Sequence, residues 1–241
     1  MFKKSISAEW LKLRNSRIWL VLITLPVISI LLGSINYYFN QGVLQNGWYS
    51  LWTQVSLFYG EFFLPILIAI CCAYICRLEH MNKNWNIVMT SPVPIRSVFT
   101  TKLIIIAILI FIVQIFFLIL YFIVGKLLGL SSQIPSETIG WILRGWFASL
   151  SISTLQLRLS IQIKSFAAPI GISLCCVFIG LGMYIMEFGM FFPYFLLSIG
   201  MGVLSQEGLT IVENIQFFVM NILFTILFSS FAIHRLKTAD V

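Results

Sequence analysis

Residues 102–126 read KLIIIAILIFIVQIFFLILYFIVGK. Between Lys102 and Lys126 stand 23 residues without a charge and with a single amide, Gln114. A helix rises 1.5 Å per residue, so about 20 apolar residues cover the roughly 30 Å hydrocarbon core of a bilayer. A run of this length and uniformity predicts a membrane-crossing helix. The rest of the chain repeats the pattern. Of its 241 residues, 60% are hydrophobic and 10% charged, with mean hydropathy +1.00. A soluble domain carries about 25% charged residues. So little polar surface cannot clothe a water-facing exterior, and lipid must be part of the solvent.

Working outward from that run, apolar stretches predict six spans, approximately 18–38, 55–76, 102–125, 140–157, 166–187 and 213–233. Together with their loops they use up residues 1–241 as a single all-α transmembrane domain. The first stretch is too long for the apolar core of a signal peptide and lacks a small-residue cleavage site, so it reads as a retained span.

The net charge of +7 would raise nucleic acid as a partner in a soluble protein, but its placement speaks for membrane orientation instead. With the N-terminus inside, 13 of the 15 basic residues fall in inner segments, leaving only Lys126 and Arg144 outside. Glu61, Glu137, Glu187, Glu207 and Glu213 are then outer, and Glu9, Glu79 and Asp240 inner. Such an asymmetry over short loops places both termini in the cytoplasm.

Ahead of the first span, Phe2, Ile6, Trp10 and Leu13 recur at helical spacing, with Lys3, Lys4, Glu9, Lys12 and Arg14 on other faces. This predicts a basic amphipathic helix over 2–16 lying in the inner interface, with an elbow at Asn15-Ser16-Arg17. Trp48, Tyr49 and Trp52 close the first outer loop and read as an interfacial aromatic belt. In 188–212 only about 14 residues are continuously apolar, too few for a span. Gly189, Pro193, Gly200 and Gly202 interrupt them. An outer re-entrant or interfacial helical segment between spans five and six fits that stretch.

Missing motifs exclude several chemistries. His80 and His234 are far apart, and no HExxH or carboxylate cluster offers a metal site. Gly125-Lys126 lacks the upstream glycine of a phosphate loop, Leu120 standing there instead. No serine has a histidine partner in a triad-like setting. The chain is therefore expected to be no enzyme and to bind no nucleotide or other cofactor itself. Cys71, Cys72, Cys76, Cys175 and Cys176 all fall in apolar runs and read as buried, small packing residues.

Ionisable residues at membrane depth are functional candidates. Glu61 lies in span two, Arg144 in span four and Glu187 at the end of span five. Arg144 either pairs with Glu61 or Glu187 at matching depth, or snorkels to the outer headgroups. The long inner loop, 77–101, places Leu78, Met81, Trp85, Val88 and Met89 at helical spacing before Ser91-Pro92-Val93-Pro94 stops the helix. A Trp, two Met and an Arg there suit protein contact, or packing on headgroups.

These residues carry a resemblance. Glu9-Trp10-Leu11-Lys12-Leu13-Arg14, then Glu79, Ser91-Pro92-Val93-Pro94, Arg96 and Lys102, resemble the permease subunits of type-two ABC exporters over essentially the whole chain. Leu155-Gln156-Leu157-Arg158-Leu159-Ser160 and Lys164-Ser165-Phe166 are similar to the lantibiotic-immunity permeases, which protect a producing cell from its own peptide. The resemblance implies a bacterial plasma-membrane subunit that pairs with a second permease, as homodimer or heterodimer. A cytosolic ATPase holding ATP and Mg²⁺ would dock through Glu79, Trp85, Pro92, Arg96 and Lys102, and through the N-terminal elbow. The substrate would be an amphipathic cationic peptide in the outer leaflet, drawn by Glu61, Glu187, Glu207 or Glu213. Two other readings stay open: a membrane immunity or assembly protein that does not transport, and an ion-coupled secondary transporter.

Overall fold

The computed structural model describes residues 2–81, 85, 93–131, 133–204 and 208–238. Most of these are helical, with no strand among them. Helix α1 covers Phe2–Arg14 and α2 Ile18–Phe39. The elbow between them is held from both sides. Ser16 N–H and the Trp19 indole N–H both donate to the Leu13 carbonyl, at 3.1 and 2.9 Å. An orphan carbonyl at the end of α1 is thereby satisfied by the turn and by α2. Trp10 meets Trp19 edge to face at 6.1 Å.

Helix α3 runs Trp48–His80, with a π-helical segment at Leu57–Phe63. Pro65 lacks the N–H that would bond the Glu61 carbonyl four residues back. The preceding turn widens, and Leu64 N–H reaches five residues back to Tyr59. Helices α4 (Ile95–Leu127), α5 (Glu137–Gln162) and α6 (Ala167–Ile185) follow. A 3₁₀ turn, Gly189–Phe191, leads to the short α7, Pro193–Gly200, and α8 covers Ile211–Thr238. The six long helices alternate in direction. Lys12, Arg77, Arg96, Lys102, Arg158 and Arg235 sit at the end of the bundle that carries α1.

Five helices, α2, α3, α4, α6 and α8, are long and apolar enough to cross a membrane. Helix α5 has the length, about 39 Å for 26 residues, but it is more polar. The reason is its position among α3, α4, α7 and α8. It packs on protein and needs no continuous lipid face. Ser149, Ser151, Ser153, Thr154, Gln156 and Ser160 are all buried. The hydroxyls of Ser149, Ser151, Ser153 and Thr154 donate to α5's own carbonyls three or four residues back, at 2.6–2.8 Å. Helices α2, α6 and α8 instead expose Leu31, Ile35, Phe178, Ile179, Ile222 and Ile226 outward, the side chains a bilayer would solvate.

The segment after α6 turns back into the bundle. Phe192 packs beside Gly180, more than a turn inside the end of α6, and α7 then returns alongside α5 with nearly every residue buried. Its tip, Met201-Gly202, is plugged between α3 and α5. The Trp52 indole donates to the Met201 carbonyl at 2.8 Å. Gly145 leaves room for Met201, whose Cγ would lie 2.5 Å from a Cβ there. Gly202 adopts φ +59°, against the Trp141 indole.

Three expectations are corrected. Trp48 and Trp52 are no interfacial belt: they wind into the first turns of α3 and are 4% and 0% exposed. Their indole N–H groups find carbonyls of Ser131 and Met201, which is what makes such burial tolerable. The fourth span, expected over approximately 140–157, lies in a longer helix that runs Glu137–Gln162. Cys175 is exposed on α6, whereas Cys71, Cys72 and Cys76 are buried.

Candidate functional site

Four charged residues that lie far apart in the chain meet at one point. Lys12 Nζ on α1 donates to Glu79 Oε1 at 2.5 Å and to Glu9 Oε1 at 2.9 Å. Lys102 Nζ, near the start of α4, donates to Glu9 Oε1 at 3.1 Å and to Glu79 Oε1 at 3.2 Å. Two ammonium groups thus alternate with two carboxylates in a closed quartet of zero net charge. The Lys102 and Glu79 side chains are only 1% and 3% exposed. Burial pulls the Lys12 ammonium down, but the Glu79 and Glu9 carboxylates outweigh it and hold its pKa above the ordinary lysine value. At such depth a charge is tolerable only because every member has partners of opposite sign.

The quartet extends into a chain of contacts. Lys102 Nζ lies 5.8 Å from the Trp85 ring. The Trp85 indole donates to His80 Nδ1 at 3.1 Å, so Nδ1 carries no proton and His80 is assigned the Nε2–H tautomer. That Nε2–H donates to the Ser160 carbonyl near the end of α5, at 2.9 Å. One connected network therefore joins α1, the end of α3, Trp85, the start of α4 and the end of α5. Trp10 is half-buried at the elbow, while Arg14 and Arg96 point outward, exposed. Pro92 lies outside the described residues.

At the opposite end, Trp141, Arg144, Tyr184, Glu187, Phe195, Ser198 and Glu213 line a cavity of about 440 Å³. It opens between α5, the end of α6, α7 and the start of α8. Arg144 pairs with neither Glu61 nor Glu187 among the described residues. Its Nε donates to the Gly200 carbonyl at 3.4 Å. Glu61 is 3% exposed in the π-helical segment and accepts from the Ser198 hydroxyl, one layer behind the cavity wall. Glu213 closes a capping box: Thr210 N–H and hydroxyl donate to its Oε2 at 2.9 Å, and Glu213 N–H returns to Thr210 Oγ1 at 3.3 Å. Glu207 lies outside the described residues. Thr-x-x-Glu before an apolar run was a readable signal for that cap. Nothing local in the sequence points to Ser198 or to the Ser160 carbonyl.

Glu187 has a backbone peculiarity. It is the only non-glycine residue described with positive φ, at 63°. Its N–H bonds Tyr184 O and the next N–H, of Phe188, bonds Met183 O, both at 2.9 Å. This pattern ends a helix with glycine favoured where Glu187 stands. Replacing Glu187 with Gly is expected to stabilise the protein by about 1 kcal/mol. Glu187→Ala, which keeps the strain, should not. Unfolding midpoints in nanodiscs decide it, and a Gly variant no more stable than the Ala variant contradicts the account.

A family model described as ABC-2 family transporter protein matches residues 5–180. That is well over half of the 241 residues and takes in the quartet, His80, Trp85 and Arg144, but not α7 or α8. Neither the curated proteins nor the solved structures give a match. The chain belongs to the ABC-2 family of transporter proteins, as a multi-pass membrane permease subunit of an ABC transporter whose family works with a separate cytosolic ATPase.

Proposed function

We propose that this subunit forms half of the membrane pathway of an ATP-driven exporter in a bacterial plasma membrane, with a second permease and with both termini cytoplasmic. ATP and Mg²⁺ belong to the partner ATPase, which docks beside the quartet, on Trp85, exposed Arg96 and the segment from Arg77 to Thr101. The observation that carries this reading is the quartet. Glu9, Lys12, Glu79 and Lys102 tie the N-terminal helix to the ends of two long helices, so a push at this end moves three elements together. The same chain of contacts reaches α5 through His80. The cargo is an amphipathic cationic peptide of the lantibiotic kind, and export protects the producing cell. That choice is supported by the similarity of residues 155–160 and 164–166 to immunity permeases. Of the described candidates Glu61, Glu187 and Glu213, Glu187 is the one left to attract such a peptide, since Glu61 is buried on Ser198 and Glu213 is bound in its cap.

Arg96 separates docking from folding, because its side chain is exposed. Arg96→Glu is expected to cut co-purification of the ATPase by on the order of tenfold, the loss of a charged contact at an interface, with the permease's unfolding midpoint unchanged. Full ATPase recovery would defeat the docking model. Retained docking, with the peptide failing to stimulate ATP hydrolysis, would leave the family assignment intact and remove the peptide.

A further inference from the structure

The cavity beside Arg144 holds charges that form no ion pair among the described residues. The guanidinium is half-buried, and its one protein acceptor among the described residues is the Gly200 carbonyl on Nε. Arg144 lines the cavity, and its two terminal nitrogens lie beside Gly140, 3.5 and 3.8 Å from where a Cβ would stand. Those nitrogens form a planar fork suited to a phosphate or carboxylate. The acids in the wall leave that fork open. Glu213 is engaged by Thr210, and Glu187 forms no ion pair among the described residues. A cation and an anion thus line one cavity without meeting.

Apart from Ser198 and Thr210 the remaining wall is mainly apolar, with Trp141, Tyr184, Met190, Phe195 and Leu209 in it. The rim is apolar as well. Ile185 and Met186 at the end of α6 are 81% and 69% exposed, and Ile211 and Val212 at the start of α8 are 81% and 73% exposed. A free inorganic anion would make no use of this rim, whereas a lipid chain would lie along it. We propose that the cavity is a site for an aminophospholipid headgroup, its phosphate on the Arg144 fork, its ammonium toward Glu187 and its acyl chains over the rim between α6 and α8. The lipid shares Glu187 with the proposed attraction of the peptide but does not rest on that reading or on ATPase docking, and it holds if either of those fails.

The test uses the full chain, purified in detergent from membranes containing both phosphatidylethanolamine and phosphatidylglycerol, with retained lipid measured by mass spectrometry. The native protein is expected to retain phosphatidylethanolamine over phosphatidylglycerol. Arg144→Gln should lose that lipid by on the order of tenfold, as for removal of a charged hydrogen-bonded partner. Glu187→Gln should keep lipid but lose the preference for the ammonium headgroup. A second measurement needs no variant: lyso-phosphatidylethanolamine should raise the unfolding midpoint of the native protein, and excess inorganic phosphate should neither raise it nor displace the retained lipid. Equal retention by Arg144→Gln, equal retention of phosphatidylglycerol by the native protein, or displacement by inorganic phosphate each overturns the proposal.

Discussion

Replacing Lys102 with Met is expected to destabilise the protein by about 3–5 kcal/mol, the cost of breaking a buried ion pair from one side. Lys102 is 1% exposed and bridges Glu9 and Glu79 at 3.1 and 3.2 Å. Without it the two carboxylates share the single ammonium of Lys12, and their mutual repulsion is no longer balanced. Unfolding free energy measured by detergent titration checks this, and a loss below about 1 kcal/mol, the worth of an exposed pair, would contradict the quartet's burial. A second substitution set distinguishes support from transmission. Replacing all four members by apolar residues of similar volume is expected to recover stability, since buried ion networks exchange for apolar packing at little net cost. If the quartet only staples α1 to the bundle, that variant also recovers peptide-stimulated ATP hydrolysis. On the proposed mechanism it remains stable and uncoupled.

Gly202→Val carries the second large effect. The residue sits at φ +59°, where a β-branched side chain is strained, and a Cβ would stand 2.6 Å from the Trp141 indole nitrogen. Strain and overpacking each cost about 1–3 kcal/mol. Together they should drive the Met201-Gly202 tip from its socket and break the bond from Trp52 to the Met201 carbonyl. Gly208→Ala is the control, for no atom lies within 4 Å of a Cβ there. The expected readout is a lowered unfolding midpoint together with thiol labelling of Ser198→Cys, a position only 2% exposed in the native protein. Unchanged labelling in the Gly202→Val background would mean that the tip is not held as described.

Helical class and the amphipathic start were legible because both rest on periodicity and length, which a single sequence carries. The elbow at Asn15-Ser16-Arg17 was legible for the same reason: three polar residues interrupt two apolar patterns. The re-entrant stretch was legible from its shortness and its glycines. The aromatic residues of 48–52 were misread because an indole can be buried once its N–H finds a carbonyl, and the Met201 carbonyl lies 149 residues away from Trp52. The same limit applies to the site. Glu9, Lys12, Glu79 and Lys102 could each be singled out, but their closure into one quartet spans up to 93 residues and leaves no local spacing to read. Depth alone offered Arg144 either Glu61 or Glu187 as a partner, with snorkelling to the outer headgroups as the alternative. Depth does not fix azimuth around a helix, and Arg144 and Glu187 enter the same cavity from different walls.

The hydroxyls along α5 have a mechanical consequence. Because Ser149, Ser153 and Thr154 spend their protons on their own backbone, these side chains present no free donor to the neighbouring helices. Axial slippage of α5 past α3 and α4 would shear mainly dispersion contacts, which re-form at the next ridge. A few side-chain bonds resist it, among them Tyr49 to Glu137, Cys72 to Ser153, Ser151 to Asn221, Gln156 to Tyr194, Arg144 to Gly200, Trp146 to Ala107 and the His80 latch at Ser160. A piston restrained by a handful of side-chain clips, one of them wired to the quartet, is a part that a stroke delivered at one end can move.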